Sequence, residues 1–249
     1  MSPRLQFAID AARRAGMATL PHFRGGAAVR YKANDTPVTE ADLQAEAMLR
    51  QAIRSAYPGE AIFGEEEGGD PNADTRWVID PIDGTKSFIC GVPLYATLLS
   101  YEEAGVPVVG VCYLPALDEL VYAERGGGAF HNGQPCHVSQ RADWSHATVC
   151  CAGHRSMEAT GLARPVAELA KRCLATRTWC DAYGHFLVAT GRVEAMVDPI
   201  LEPYDISAVS LIVEEAGGRC TDLAGNPWPK GGAVSSNGAL HAKLLEALT

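Results

Sequence analysis

The segment Trp77-Val78-Ile79-Asp80-Pro81-Ile82-Asp83-Gly84-Thr85 is the most informative stretch of the sequence. The apolar run before it predicts a strand over 76–79, and two aspartates follow directly after the end of that strand. The proline restricts the backbone between the two acids, and the glycine permits a tight turn into the next helix. The amides of Gly84 and Thr85 at that helix start would suit a phosphate oxygen. We therefore expect a functional site at this strand end.

Two further acidic features lie at the ends of predicted elements. Glu65 and Glu66 follow a short predicted strand over 61–63, and Asp205 precedes a predicted helix over 206–216. Strand ends from distant parts of a chain commonly meet at one crevice. Carboxylates crowded there without Lys or Arg would repel one another, and a hard divalent cation with oxygen ligands relieves the repulsion. The pattern predicts Mg²⁺ rather than Zn²⁺, although any single aspartate could instead serve as a turn or cap residue.

Composition and charge limit the possible classes of protein. The chain has 249 residues, with 21 Lys and Arg against 30 Asp and Glu, for a formal net charge of −9. Hydrophobic residues make up 47%, which excludes a mainly disordered or fibrous chain. The acid excess argues against nucleic-acid and membrane partners, and the sequence shows no apolar run of membrane-spanning length. Eight cysteines without a CxxC spacing indicate reduced thiols, so we expect a cytoplasmic protein.

Hydrophobic periodicity predicts elements along the whole chain. The first part is predicted to contain helices over 5–22 and 39–57, followed by strands over 61–63, 76–79, 94–101, 106–113 and 119–123. After about residue 138 the predicted elements are helices over 155–172, 181–190, 206–216 and 237–248, with a strand over 193–197. We expect two tightly joined subdomains: residues 1–138, which carry most of the candidate metal ligands, and residues 139–249, which carry Asp205.

The acidic motifs occur in an order that is itself informative. Gly64-Glu65-Glu66, then the segment 77–85, then Pro203-Tyr204-Asp205-Ile206-Ser207-Ala208 together resemble the signatures of the inositol monophosphatase family. The similarity extends over nearly the whole chain, and its one departure is Tyr204, where many members have Trp. The resemblance implies an α+β fold, a layered α/β/α/β/α sandwich, and Mg²⁺-dependent phosphomonoesterase activity.

The resemblance also implies a set of metal ligands. One Mg²⁺ would be bound by Glu65, Asp80 and the backbone carbonyl of Ile82. A second would be bound by Asp80, Asp83 and Asp205, and a third, weaker ion could lie near Glu65. Two and possibly three ions are therefore expected, all with oxygen ligands.

Three residues complete the machinery that the resemblance implies. In metal-assisted hydrolysis, Thr85 would orient the attacking water, Asp42 would accept the Thr85 hydroxyl proton, and Glu65 would act through the first metal. Asp42 has another interpretation, because it lies three residues after Thr39 at a predicted helix start, a spacing typical of a capping pair. The match of residues 38–42 to the family favours the catalytic role.

Two more carboxylates bear on the choice of substrate. Asp181 begins a predicted helix, at a position where inositol phosphatases usually have a small neutral residue. Asp198 follows a predicted strand, at a position where they usually have Glu. An ammonium or imidazolium group on a substrate would require such extra carboxylates. The motifs Asp-x-Tyr-Gly and Met-Val-Asp-Pro around them resemble the histidinol-phosphate phosphatase branch. We therefore expect Gly84, Thr85, Asp181 and Asp198 to bind L-histidinol phosphate, which would be hydrolysed to L-histidinol and phosphate in histidine biosynthesis.

Other functions are compatible with the sequence. Inositol 1-phosphate or a related sugar phosphate is one alternative substrate, and Asp181 could be an ordinary helix cap. Asp-Gly-Thr-Lys over 83–86 suggests a 3′-phosphoadenosine-phosphate phosphatase, but that branch usually continues with Glu rather than Ser87. Some family members are RNA-polymerase-associated assembly factors, against which the net charge and the lack of a basic run argue. The family commonly dimerises, so the resemblance implies a homodimer.

Overall fold

The computed structural model describes residues 1–25, 28–32, 36–179, 181–229 and 231–249, in which helices and sheets alternate as five layers. The α-helices of these ranges are α1 Pro3–Thr19, α2 Glu40–Ala56, α3 Thr85–Ile89, α4 His154–Ala159, α5 Ala163–Ala170, α6 Asp181–Ala189, α7 Pro203–Glu215 and α8 His241–Ala247. The strands are β1 Val29–Tyr31, β2 Pro37–Thr39, β3 Ala61–Gly64, β4 Thr75–Asp83, β5 Ala96–Glu103, β6 Val106–Leu114, β7 Glu119–Glu124, β8 Ala129–His131, β9 Gln134–Cys136, β10 Thr148–Cys151, β11 Ala175–Arg177, β12 Ala195–Asp198, β13 Arg219–Thr221 and β14 Ala233–Ser236.

The first sheet has seven strands in the order β3-β4-β5-β6-β7-β8-β9. β3 and β4 are parallel, and the remaining neighbours are antiparallel. One face is covered by α1 and α2, whose apolar stripes follow helical spacing and bury Leu49 and Ile53 against Trp77. Since β3 and β4 run in the same direction, the residues after both strands reach the same edge of the sheet.

The middle layer consists of α6 and α7, which lie between the two sheets. One apolar cluster contains Leu98 and Cys112 of the first sheet, Phe186 of α6, Leu211 of α7 and Met196 of the second sheet. The expected layered α+β sandwich is confirmed by this arrangement. The division into subdomains at residue 138 stays a prediction, because this cluster joins side chains from both sides of that boundary.

The second sheet has five strands in the order β11-β10-β12-β14-β13 and closes the sandwich together with α4, α5 and α8. β10 pairs in parallel with β11 and β12, while β14 is antiparallel to β12 and β13. Val149, Val197 and Val234 of this sheet pack against Leu169 and Leu244 of the outer helices. The carboxyl end of β12 thereby presents Asp198 towards the site described below.

β4 is longer than the sequence predicted. The prediction ended the strand at Ile79, whereas the structure continues it through Asp83 with a shift of register between Asp80 and Asp83. Pro81 has no amide hydrogen to donate, and a proline within a sheet is tolerated at such an irregularity. The shift leaves the two aspartates on paired backbone that is nevertheless locally distorted at the end of the strand.

Two predicted helices of the second half were wrong in their bounds. The helix expected over 155–172 is two helices, α4 and α5, because Gly161 has a φ of 76° in the left-handed region that ends a helix. The last helix begins at His241 rather than at residue 237. Asn237 instead uses its side chain to bind the backbone, accepting from the amide of Leu240 at 3.2 Å and donating to the carbonyl of Arg141 at 2.7 Å.

Within the described ranges, none of the helices is both long enough and apolar enough to cross a lipid bilayer.

Candidate active site

Three of the predicted metal ligands converge at the end of β4 and the start of α7. Asp80, Asp83 and Asp205 each offer a carboxylate oxygen, and these oxygens all lie within 4.8 Å of one another. Asp80 and Asp83 are buried at the distorted end of β4, and Asp205 is half-buried in the first turn of α7. Asp205 also accepts the amide of Glu202 at 2.7 Å as part of a capping box, so its position is fixed by the helix itself.

Crowding and burial make the charged state of this cluster costly. Burial, followed by the charges of neighbouring acids, raises the pKa of Asp80 and Asp83 well above the ordinary range. The pKa of Asp205 is raised to about 7, chiefly by burial and then by Glu65 and Asp181. Buried like charges of this kind require a compensating positive charge if they are to stay ionised.

Glu65, a fourth predicted ligand, lies beside this cluster. After burial, the nearby charge of Glu65 is the next largest cause of the raised pKa of Asp80. Glu65 Oε1 also binds Lys32 Nζ at 2.9 Å, and the same ammonium group lies 2.9 Å from Glu66. Burial raises the pKa of Glu66 to about 7 in spite of this ion pair. Lys32 was not predicted as part of the site. It lies far from the acidic motifs in the sequence, so no local pattern connects it with them.

Thr85 and Asp42 each form hydrogen bonds with a different residue of the chain. The Thr85 hydroxyl donates to the backbone carbonyl of Ile82 at 3.1 Å. Asp42 is buried, and its Oδ2 accepts from the amide and hydroxyl of Thr39 at 2.7 and 2.6 Å. The helix-capping interpretation of Asp42 is therefore correct. Its Oδ1 is buried with no hydrogen-bond partner, so one acceptor remains available beyond the cap.

Asp181 and Asp198, the two predicted specificity residues, lie on the α6 and β12 side of the cluster. The amide of Ala182 donates to Asp83 Oδ2 at 2.6 Å, which fixes the start of α6 against the end of β4. Asp181 Oδ2 would lie only 3.2 Å from a Cβ atom at Gly84, so the missing side chain leaves room beside this carboxylate. Burial, and then the charge of Asp181, raises the pKa of Asp198 to about 8.

The donor set fits a hard divalent cation. Asp80, Asp83 and Asp205 offer three carboxylate oxygens at one point. Such ligands suit Mg²⁺, whereas Zn²⁺ sites are usually built from Cys and His. Burial and the neighbouring acids raise the pKa of Asp80 and Asp83, so a cation bound here would favour their ionised form.

The similarity to a known family extends beyond the individual motifs. Residues 1–249 match the sequence model of the inositol monophosphatase family. The chain belongs to the inositol monophosphatase family. It is accordingly a phosphoric monoester hydrolase of a metal-dependent family, as the resemblance predicted.

Curated relatives of this family member differ in their named activities. A histidinol-phosphatase of Chlorobaculum parvum is 45% identical over 252 residues, covering 100% of this chain and 97% of its own. A histidinol-phosphatase of Mycobacterium tuberculosis is 40% identical, covering 86% and 85%. A Nus factor SuhB of Escherichia coli is 35% identical over 98% of this chain and 95% of its own. The family is thus shared by proteins with more than one role.

Solved structures agree with the family fold. An IMPase of Thermotoga maritima superposes with a TM-score of 0.91 at 34% identity, covering 99% of this chain and 97% of the other. The extragenic suppressor protein suhB of Bartonella henselae superposes with a TM-score of 0.93 at 29% identity, covering 100% and 99%. The fold therefore extends from end to end of this chain and does not by itself separate the possible substrates.

Proposed function

We propose that this enzyme hydrolyses L-histidinol phosphate to L-histidinol and phosphate with Mg²⁺ as cofactor. The observation that carries the proposal is the pair of additional carboxylates, Asp181 and Asp198, placed beside the cluster of Asp83 and Asp205. They add negative charge on the side of α6 and β12, where a substrate amine or imidazole could be neutralised. The names of the relatives at 45% and 40% identity support the same substrate.

The metal-binding roles are assigned to the acids at the ends of β3 and β4 and at the start of α7. We assign Glu65, Asp80 and the carbonyl of Ile82 to one Mg²⁺, and Asp80, Asp83 and Asp205 to a second; a third, weaker ion would lie near Glu65. When bound, these ions would supply a water of lowered pKa and positive charge for the phosphate and leaving oxygens. These carboxylates would hold the ions. Asp80 and Asp83 are buried and Asp205 is part of a capping box, so their orientation is fixed before substrate arrives.

The remaining site residues act on protons and on the ester itself. The Thr85 hydroxyl, which donates to the Ile82 carbonyl in this structure, would turn its one hydrogen to the free Asp42 Oδ1 and then accept a hydrogen bond from the attacking water. Gly84 and Thr85 approach the phosphate, because a glycine leaves the backbone amides accessible. Asp181 and Asp198 accept hydrogen bonds from the cationic end of the substrate.

Kinetics on three esters test the proposal. Phosphate release with Mg²⁺ is compared for L-histidinol phosphate, inositol 1-phosphate and 3′-phosphoadenosine phosphate under identical conditions. We expect kcat/KM for L-histidinol phosphate to exceed the others by at least about 100-fold, since the carboxylates of Asp181 and Asp198 would bind a cationic group that the other two esters lack. Equal or lower efficiency on L-histidinol phosphate would contradict the substrate assignment, and a preference for inositol 1-phosphate would replace it with the alternative.

A further inference from the structure

The turn that carries Glu65 is hydrogen-bonded to a buried carboxylate of α2. Glu46 is fully buried, and its Oε2 accepts the amide of Glu66 at 2.8 Å while its Oε1 accepts the amide of Glu67 at 2.9 Å. A charged carboxylate that accepts two backbone amides forms stronger hydrogen bonds than a neutral group would. The two residues that follow Glu65 are therefore anchored from below by one side chain.

Arg50 completes the anchor one helical turn later. Its Nε donates to Glu46 Oε1 at 2.8 Å, and its Nη2 donates to the carbonyl of Gly68 at 2.6 Å. Gly68 itself pairs with Gly64 by two hydrogen bonds of 2.9 and 3.1 Å that close the turn. Glu46 and Arg50 thus contact the segment 64–68 on both sides of Glu65.

The fit between this pair and the turn is tight at Gly64. A Cβ atom there would lie 2.5 Å from Glu46 Oε1 and 2.8 Å from Arg50 Nη2, closer than van der Waals contact permits. By contrast, among the residues that the structure describes, the backbone of Glu65 is held by a long hydrogen bond of 3.3 Å, from its amide to the carbonyl of Ile79 in β4. The position of Glu65 relative to Asp80 therefore depends mainly on the turn and on the two side chains that bind it, Glu46 and Arg50.

We propose that Glu46 and Arg50 are positioning residues that set the Glu65 carboxylate for metal binding. Their opposite charges compensate each other, so they support the turn without adding net charge to the acid cluster. Loss of the Glu46 charge would weaken both amide bonds and leave Arg50 without its partner, and the turn would shift. The inference rests on the proposed role of Glu65 as a metal ligand, and it adds two residues that touch neither metal nor substrate.

Metal affinity tests the inference directly. Binding of Mn²⁺ to the whole protein without substrate is followed by electron paramagnetic resonance, alongside the Mg²⁺ dependence of kcat. Glu46→Gln keeps the shape but removes the charge, and we expect the Mn²⁺ bound through Glu65 to lose about 10-fold or more in affinity, as for other residues that orient metal ligands. Arg50→Lys keeps the charge but cannot bind both Glu46 and Gly68, and a smaller loss is expected. Kcat at saturating Mg²⁺ should recover in both variants.

Glu60→Gln provides a matched control. Glu60 likewise accepts from an arginine, Arg4, at 2.7 Å and from the Trp77 indole at 2.6 Å, but it precedes β3, at the opposite end of this strand from Glu65. Its replacement should lower stability while Mn²⁺ affinity stays at the wild-type value. A Glu46→Gln or Arg50→Lys protein that folds and binds Mn²⁺ as tightly as the wild type overturns the inference. If Glu46→Gln does not fold, Arg50→Lys alone decides the matter by the same measurement.

The outcomes also separate this inference from the proposed function. Weakened Mn²⁺ binding in a protein that prefers another phosphate ester supports the positioning role and overturns only the substrate. Wild-type protein that binds no Mn²⁺ overturns the metal-dependent function and the positioning role together.

Discussion

Asp181 has a left-handed backbone, with a φ of 58° at the start of α6. Asparagine tolerates this conformation nearly as well as aspartate, whereas alanine would add backbone strain of about 1 kcal/mol. Asp181→Asn therefore removes the charge without disturbing the helix start. We expect kcat/KM for L-histidinol phosphate to fall by about 10- to 100-fold, a loss of about 1.4–2.8 kcal/mol, with little change for inositol 1-phosphate.

The control for that variant is another aspartate with a left-handed backbone. Asp118 has a φ of 51° in the turn between β6 and β7 and accepts the Tyr113 hydroxyl at 3.0 Å. Asp118→Asn should leave the activity on both esters unchanged. If Asp181→Asn reduces turnover of all esters equally, Asp181 acts as a structural cap and the specificity role is wrong.

At the scale of elements, the acid cluster could be predicted because its members stand in local motifs at strand and helix ends. Asp80, Asp83 and Asp205 follow from those motifs together with the family resemblance. Lys32 and Glu46 could not, since each reaches the site through a tertiary contact with a distant segment. A charged residue on the apolar stripe of α2 was the available signal for Glu46. The break at Gly161 was missed because one glycine is compatible with helical spacing, and only its φ shows the helix end.

A buried ionic network joins β4, β5 and α7. Arg76 Nε donates to Glu102 Oε2 at 2.8 Å, and the Ser207 hydroxyl donates to Glu102 Oε1 at 2.7 Å. All three side chains are buried, and Ser207 lies two residues after Asp205. The network therefore fixes the start of α7 against the sheet that carries Asp80 and Asp83.

Arg76→Leu should lower the free energy of unfolding by about 3–5 kcal/mol, because it leaves the Glu102 carboxylate buried and unpaired. Urea denaturation of the metal-free protein measures the change. The double variant Arg76→Leu with Glu102→Leu should recover much of the loss, since no isolated charge then remains. A double variant as unstable as the single one would mean that packing rather than the unpaired charge determines the cost.

At the scale of the whole molecule, the charge of −9 includes acids that oppose folding when no cation is bound. Burial and neighbouring acids raise the pKa of Asp205 to about 7 and of Asp198 to about 8. A carboxyl group with a raised pKa binds protons more tightly in the folded state than in the unfolded state. Its contribution to stability is therefore present at low pH and is lost as the pH rises through 7 and 8. A divalent cation would stabilise the ionised groups instead.

In EDTA, the melting temperature should rise as the pH is lowered from about 8.5 to about 6. In EDTA at the higher pH, the Asp83→Asn variant should have a higher melting temperature than the wild type. The change removes one repelling charge, while the asparagine oxygen can still accept the Ala182 amide. Mg²⁺ at about 100 times its dissociation constant should stabilise the wild type by about 2.7 kcal/mol, or about 5–10 °C for a chain of this length, and the variant far less. Calorimetry measures each of these melting temperatures. Two results would show that packing around Asp83 outweighs charge repulsion in the metal-free protein. One is a wild-type melting temperature in EDTA that falls on acidification over this range, and the other is a variant less stable than the wild type.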